Sequence, residues 1–135
     1  MHPLLPQTEL LSYCKAKSIL LTAYTPLAKH RDIFVNHPSV TSVTNRLHCT
    51  AAQVLLSWGI IRGTVVIPKT TNNRRLEENF EFVDLLPGEI ASLDNIHRDP
   101  GMHRSVCGYH SPGGMCVGWT YEQLGWPMKE NGIVW

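Results

Sequence analysis

Apolar positions follow two different spacings along the first 97 residues, helical in some stretches and continuous in others. Over residues 8–17, Leu10, Leu11 and Cys14 fall on one helical face, and Lys15 and Lys17 sit where a helix dipole favours cations, which predicts a short amphipathic helix. Residues 18–24 form an almost unbroken apolar run closed by Thr25-Pro26, the pattern of a strand buried on both faces. From Ser39, Val40, Val43 and Leu47 recur at helical spacing. Thr50-Ala-Ala-Gln53 then reads as a capping box, in which the threonine hydroxyl and glutamine side chain satisfy backbone N–H groups, so a second helix starts at Ala51. It carries Val54, Leu55, Trp58 and Ile61 on one stripe and stops at Gly63, suited to the left-handed position past a helix end. Residues 64–67 are again continuous and β-branched, ended by Pro68.

Strand, helices, strand is the order of a parallel crossover, so the predicted fold class is α/β. After the second strand, Thr71 or Asn72 can cap a helix that carries Arg75, Glu78 and Asn79 on neighbouring turns. A further short helix begins at Pro87 and shows Ile90, Leu93 and Ile96. The periodicity stops after His97, which divides the chain into an ordered part, 1–97, and a tail, 98–135. The tail is rich in Gly and Pro yet holds Trp119, Trp126 and Trp135, too aromatic for plain disorder, and reads as an irregular segment packed on something.

Composition changes this picture only by exclusion. At 43% hydrophobic and 17% charged the chain is ordinary globular material, and a net charge of +1 gives no field with which to gather nucleic acid or an anionic membrane. No stretch is long and apolar enough to span a bilayer, and the start lacks the basic and apolar regions of a secretory signal. Cys14, Cys49, Cys107 and Cys116 are scattered, which predicts reduced thiols in a cytoplasmic protein.

The chemistry concentrates where the second strand turns into its helix. Lys69 directly after a buried strand, a hydroxyl beside it, a capped helix start and an arginine in the first turns place cations and N–H donors around one point, as a phosphate site requires. Read alone, Lys69, Arg74 and Arg75 also fit a solvated face. Two other groupings are weaker. His103, Cys107, His110 and Cys116 could hold a small structural zinc site, although the spacing is not that of a standard knuckle. His48-Cys49 lacks the third group that would orient a nucleophilic pair.

Taken together, Ile67-Pro-Lys-Thr70 followed by Arg75-Leu-Glu-Glu-Asn79 resembles the coenzyme signature at the last barrel strand of aldo-keto reductases. Earlier segments agree in order: His2-Pro3, Gln7, Leu10 and Tyr13-Cys14 resemble the stretch after the family's sixth strand, and Leu21-Thr-Ala-Tyr-Thr-Pro-Leu27 its seventh strand and turn. Thr50-Ala-Ala-Gln-Val-Leu-Leu-Ser-Trp58 resembles its penultimate core helix, and Gly118-Trp-Thr-Tyr-Glu-Gln-Leu-Gly-Trp126 is similar to fungal members. The resemblance implies the C-terminal part of a (β/α)8 TIM barrel, about two and a half βα units, with the site at the C-terminal ends of the strands.

It also implies roles. Tyr24 would stack on a nicotinamide ring, Thr25 and Leu27 would line the pyrophosphate path, and Lys69, Thr70 and Arg75 would hold an adenosine 2′-phosphate with help from Thr71 and Asn72. Glu78 and Asn79 would bond the adenine, whose far side would touch Ala52. Two cations and a hydroxyl suit a dianionic phosphate, so the implied coenzyme is NADP(H) rather than NAD. Thr70 and Thr25 stand where the family has serine, and both keep the hydroxyl. The family's proton-donating tyrosine and its Lys, Asp and His partners belong to earlier strands, so the expectation is a fragment of a carbonyl reductase that lacks the catalytic residues and tends to self-associate. The alternatives are an inactive NADPH-binding or interaction module and a zinc-stabilised interaction protein.

Overall fold

The computed structural model describes residues 1–30, 32–111 and 113–134. The element order is α1 (Thr8–Ala16), β1 (Thr22–Ala23), a 3-10 turn at Ala28–His30, α2 (Asp32–Val35), α3 (Pro38–Leu47), α4 (Ala51–Ile61), β2 (Val65–Val66), α5 (Asn73–Glu78) and α6 (Pro87–Asn95). The tail adds β3 (His110–Ser111), β4 (Met115–Cys116), β5 (Trp119–Thr120), β6 (Met128–Lys129) and β7 (Ile133–Val134).

β1 and β2 pair in parallel, Thr22 against Val65 and Ala23 against Val66, with α2, α3 and α4 in the connection. This is the α/β crossover that the sequence predicts. α4 starts at Ala51 with the capping box in place: the Thr50 N–H donates to Gln53 Oε1 at 2.8 Å and the Gln53 N–H to Thr50 Oγ1 at 3.2 Å. Gly63 has φ 79, the left-handed conformation expected past a helix end. Gly59 brings α4 against the sheet, since a Cβ there would stand 2.7 Å from Val66 Cγ1. The core joins Leu4, Phe34, Val40, Val43, Trp58 and Leu93 with Met102 and Val106 from beyond residue 97.

Several expectations change. The runs 18–24 and 64–67 form strands of two residues each, and they are not buried on both faces: Leu20 is 69% exposed and Ile67 60%. A strand's side chains are covered only by what packs on its faces, and no strand besides β1 and β2 joins this sheet among the described residues. Leu10, assigned to the buried face of α1, is exposed while Leu11 and Cys14 are buried. α4 is buried all round from Gln53 to Gly59 rather than along a stripe, and Ile61 at its end is exposed. Its apolar residues exceed one face, as befits a helix covered by α3 on one side and β2 on another.

The tail is less irregular than expected. β3, β4 and β5 form an antiparallel meander and β6 pairs with β7. Tyr121 is buried and packs near Trp126, Trp119 is exposed, and Trp135 lies outside the described residues. No helix among the described residues is long and apolar enough to cross a membrane.

Candidate functional site

Helix α5 follows β2 through the loop 67–72, and its start is set by side chains rather than by length. Asn72 is the cap: its Oδ1 accepts from the Arg75 N–H at 3.1 Å, while its own N–H donates to Thr70 Oγ1 at 3.1 Å. Of the two expected caps, Thr71 is therefore not used. α5 has only six residues, so its dipole contributes little to anion binding and the side-chain cations must carry it.

Those cations face a cleft of about 560 Å³. One wall is the loop and helix, with Lys69, Thr70, Thr71 and Asn72 leading to Arg75, Glu78 and Asn79. Leu27, after β1, and Ala52, in the first turn of α4, close the opposite side. Tyr24 and Thr25 lie instead in an adjoining cavity of about 360 Å³, which shares Leu27 and Lys69 with the cleft. Every residue assigned to a coenzyme from the sequence thus lines one of two adjoining spaces. The sequence reading missed the wall supplied by α2 and α3, where Val35, Asn36, Thr41 and Thr44 line the cleft.

Electrostatics separates the two neighbouring arginines. Arg74 Nε donates to Glu78 Oε1 at 2.8 Å, an i,i+4 pair in which Glu78 is largely covered and Arg74 exposed. Among the described residues neither the Lys69 ammonium nor the Arg75 guanidinium has a carboxylate partner. Two uncompensated cations, a threonine hydroxyl at Thr70 and an acceptor at Glu78 can hold a phosphate and, beside it, a ring that donates hydrogen bonds. The volume is that of a small-molecule site. Asn79 is buried at the end of α5, its N–H donating to the Arg75 carbonyl at 3.1 Å. The α4 side is braced by Gln53 Nε2, which donates to Glu81 Oε2 at 3.0 Å and so ties the cleft's two walls together.

The other groupings do not make sites. Cys49 lines the cleft, but burial pushes its thiol above the ordinary range, against a nucleophilic role for His48-Cys49. His103, Cys107, His110 and Cys116 make no metal site: Cys116 lies beside Cys107 and pairs with His110 across the meander, but no group of three or more His, Cys, Asp or Glu is placed to hold a metal among the described residues. Tyr121 has a partner that sequence reasoning did not supply, His110, whose Nδ1 lies 2.8 Å from the phenol oxygen. Burial raises the Tyr121 pKa, which makes it a poorer proton donor rather than a tuned one.

No protein-family model matches the chain. Among curated proteins it is 33% identical over 112 residues to glycerol 2-dehydrogenase (NADP(+)) of Saccharomyces cerevisiae, covering 83% of this chain and 36% of that protein. It is 34% identical over 109 residues to aldo-keto reductase family 1 member C15 of Rattus norvegicus, covering 73% and 34%. Among solved structures, the aldose reductase of Schistosoma japonicum superposes with a TM-score of 0.64 at 32% identity, over 70% of this chain and 31% of that one. The chain spans about a third of the length of the curated relatives it matches.

Proposed function

We propose, from the premise that this chain belongs to the aldo-keto reductase family, that its cleft holds NADP(H) and serves a reductase that converts aldehydes or ketones to alcohols. The observation that carries the reading is the meeting of Lys69 and Arg75, two cations with no carboxylate partner among the described residues, with the Thr70 hydroxyl at the cleft. That end fits a 2′-phosphate, which would leave those cations unneutralised if NAD(H) bound instead. Thr71 and Asn72 shape the loop around it. Glu78 and Asn79 are set to bond an adenine, with Ala52 across from them. Tyr24, 60% exposed on its cavity, offers a ring face for stacking, and Thr25 and Leu27 line the passage between the two spaces. When bound, NADPH supplies the hydride; this chain's residues bind and orient it. The proton donor is assigned to elements outside this chain, because Tyr13 is on the exposed side of α1, Tyr24 serves stacking, Tyr109 is exposed in the tail and Tyr121 is buried against His110. The carbonyl substrate is a small molecule, with neither nucleic acid nor membrane as partner.

Fluorescence titration with both coenzymes tests the assignment. A charge-assisted contact is worth roughly 1.5–3 kcal/mol in general, and exposure of both cations places them at the low end, so Arg75→Ala and Lys69→Met should each weaken NADPH about tenfold with little effect on NADH. Glu78→Ala should weaken both alike, since both carry adenine. Equal losses for NADPH and NADH in Arg75→Ala would return Lys69, Arg74 and Arg75 to the status of a solvated face. The isolated chain should oxidise NADPH with a simple aldehyde no faster than background; activity abolished by a point change within this chain would refute the placement of the proton donor elsewhere.

A further inference from the structure

Cys107 and Cys116 serve no site described above, and the fold of the tail brings them together. Cys116 is on β4, the central strand of the meander, directly opposite His110 of β3, so those two side chains share a face. Tyr121, just past β5, belongs to the same cluster: its phenol oxygen lies 2.8 Å from His110 Nδ1, and both cysteines are close enough to act on its ionisation. Cys107 arrives on the segment that leads into the meander, and that segment is rooted in the main core. Val106 is buried there, the Arg104 N–H donates to the Leu4 carbonyl at 3.0 Å and the Cys107 N–H to Ser105 Oγ at 3.1 Å. The Cys107 side chain lies within hydrogen-bonding reach of the Cys116 thiol. Both are free thiols, Cys116 buried and Cys107 half-buried.

A disulfide forms without backbone movement only where two cysteines face each other at short range, and neighbouring thiols meet that condition. We propose that Cys107 and Cys116 are a redox-active pair, a modification site for small-molecule disulfides, whose bridge staples the meander to the segment rooted in the core. The order of steps follows from access. Cys107, the thiol open to solvent, gives its proton to water, and its thiolate attacks one sulfur of the small disulfide. The S–S bond of that molecule breaks, Cys107 becomes a mixed disulfide, and the first small thiolate leaves and takes up a proton. Cys116, once deprotonated, attacks Cys107 Sγ, the internal bond forms, and the second small thiol leaves in the same way. Overall, the protein's pair of thiols is oxidised to one disulfide and the small disulfide is reduced to its thiols. Burial, more than the neighbouring Cys107, pushes the Cys116 thiol above its ordinary range, so Cys116 is a poor first nucleophile and acts once a disulfide stands beside it. Cys49 is set differently, with Arg46 and Glu89 as its charged neighbours.

Oxidised glutathione is the probe, and acid quenching, alkylation and mass spectrometry give the readout. Trypsin cuts after Arg104 and Lys129 and leaves both cysteines on one peptide, 105–129. In the parent protein that peptide should lose a pair of hydrogens and both of its alkylation sites, and samples quenched early should carry one glutathione on Cys107. Cys116→Ser should stop at that adduct, and Cys107→Ser should leave Cys116 free of glutathione. Chymotryptic cutting at Trp119, exposed on β5, should be slower in the oxidised parent than in the reduced one, with no such change in Cys107→Ser. Dithiothreitol should reverse the mass change and the slower cutting. The parent's own time course reports the order of events, so a variant that fails to fold does not blunt the test. A peptide 105–129 that stays unmodified, takes up glutathione on both cysteines or on Cys116 first, or forms only cross-links between chains would overturn the pair. Equal cutting at Trp119 in both redox states, with the internal bridge formed, would overturn the staple.

Discussion

Removing the Asp94 carboxylate should destabilise the fold more through a tryptophan than through an ion pair. Asp94 Oδ1 accepts two hydrogen bonds, from Trp58 Nε1 at 2.9 Å and from Arg62 Nη1 at 2.6 Å. Arg62 also donates from Nη2 to the Pro6 carbonyl at 2.8 Å and stacks on the Trp58 ring, 4.6 Å from its centroid. This cluster joins α4, α6 and the segment before α1. Trp58 is 1% exposed, so Asp94→Ala strands a fully buried indole N–H, at a cost of about 1–3 kcal/mol. The Asp94 side chain is 37% exposed, and solvent screening limits the lost attraction to Arg62 to about 1 kcal/mol or less. The sum is about 1–4 kcal/mol for Asp94→Ala. Asp94→Asn keeps an acceptor oxygen for the indole and loses only the charge, so it should cost about 1 kcal/mol. Urea unfolding followed by circular dichroism measures both, with unchanged m-values as the sign that only stability has moved. Equal costs for the two variants would show that charge, not the buried indole, dominates; a cost for Asp94→Ala below about 0.5 kcal/mol would show that the cluster does not hold these elements together.

The remaining predictions concern pH and association. Arg46 holds Glu89 through hydrogen bonds of 2.7 Å from Nε and Nη2 and keeps its carboxyl below the ordinary 4.5. A depressed carboxylate contributes stability that is present above pH 4.5 and lost as pH falls through the lower folded value, so acid unfolding of Glu89→Gln should show a shallower pH dependence below 4.5 than the parent. An unchanged slope would mean that the pair adds nothing to folding. The apolar positions Leu20 and Ile67, exposed beside a two-stranded sheet with both edges open among the described residues, should make the isolated chain self-associate, and Leu20→Lys with Ile67→Lys should reduce it in sedimentation velocity. A monodisperse monomer over a wide concentration range, with a cooperative melt, would count against that expectation.

What was legible in the sequence is what is decided locally. The Thr50 cap needs only a hydroxyl and an amide three residues apart, and both bonds form as the motif requires. Pro87 opens α6 for the same reason, with its fixed φ suited to a first turn. Strand length was not legible, because a strand ends where its partner does, and the runs around Ile19 and Val65 are apolar well beyond the two residues that pair. The tail hid its meander for a related reason: strands of two residues have no periodicity to read, and the Tyr121–His110 bond joins residues eleven apart across it. The cleft wall from Asn36 to Thr44 carries no motif, since lining a cavity asks only for size and position.

The arginine pair shows where local rules reach their limit and then resume. Asn72-Asn-Arg-Arg-Leu-Glu-Glu-Asn79 leaves either of two adjacent arginines free to bind an anion until a helix is placed through it. Once Asn72 is fixed as the cap, however, the helix begins at Asn73 and the geometry follows. Successive residues turn by about 100° around a helix. Arg74 and Glu78, four apart, fall on one face and neutralise each other at 2.8 Å. Arg75, one step round, has no carboxylate partner among the described residues and lines the cleft with Lys69. Had Thr71 capped the helix instead, the first turn would begin a residue earlier, yet the spacing of 74 and 78 would still pair those two. The identity of the free cation therefore depends on the i,i+4 spacing, not on the cap. Moving the carboxylate from 78 to 79 would shift its helical reach from Arg74 to Arg75, so Glu78→Asn combined with Asn79→Glu should weaken NADPH more than Glu78→Ala does and bring its affinity toward that of NADH. An NADPH preference that survives this exchange would mean that Arg75 does not supply it.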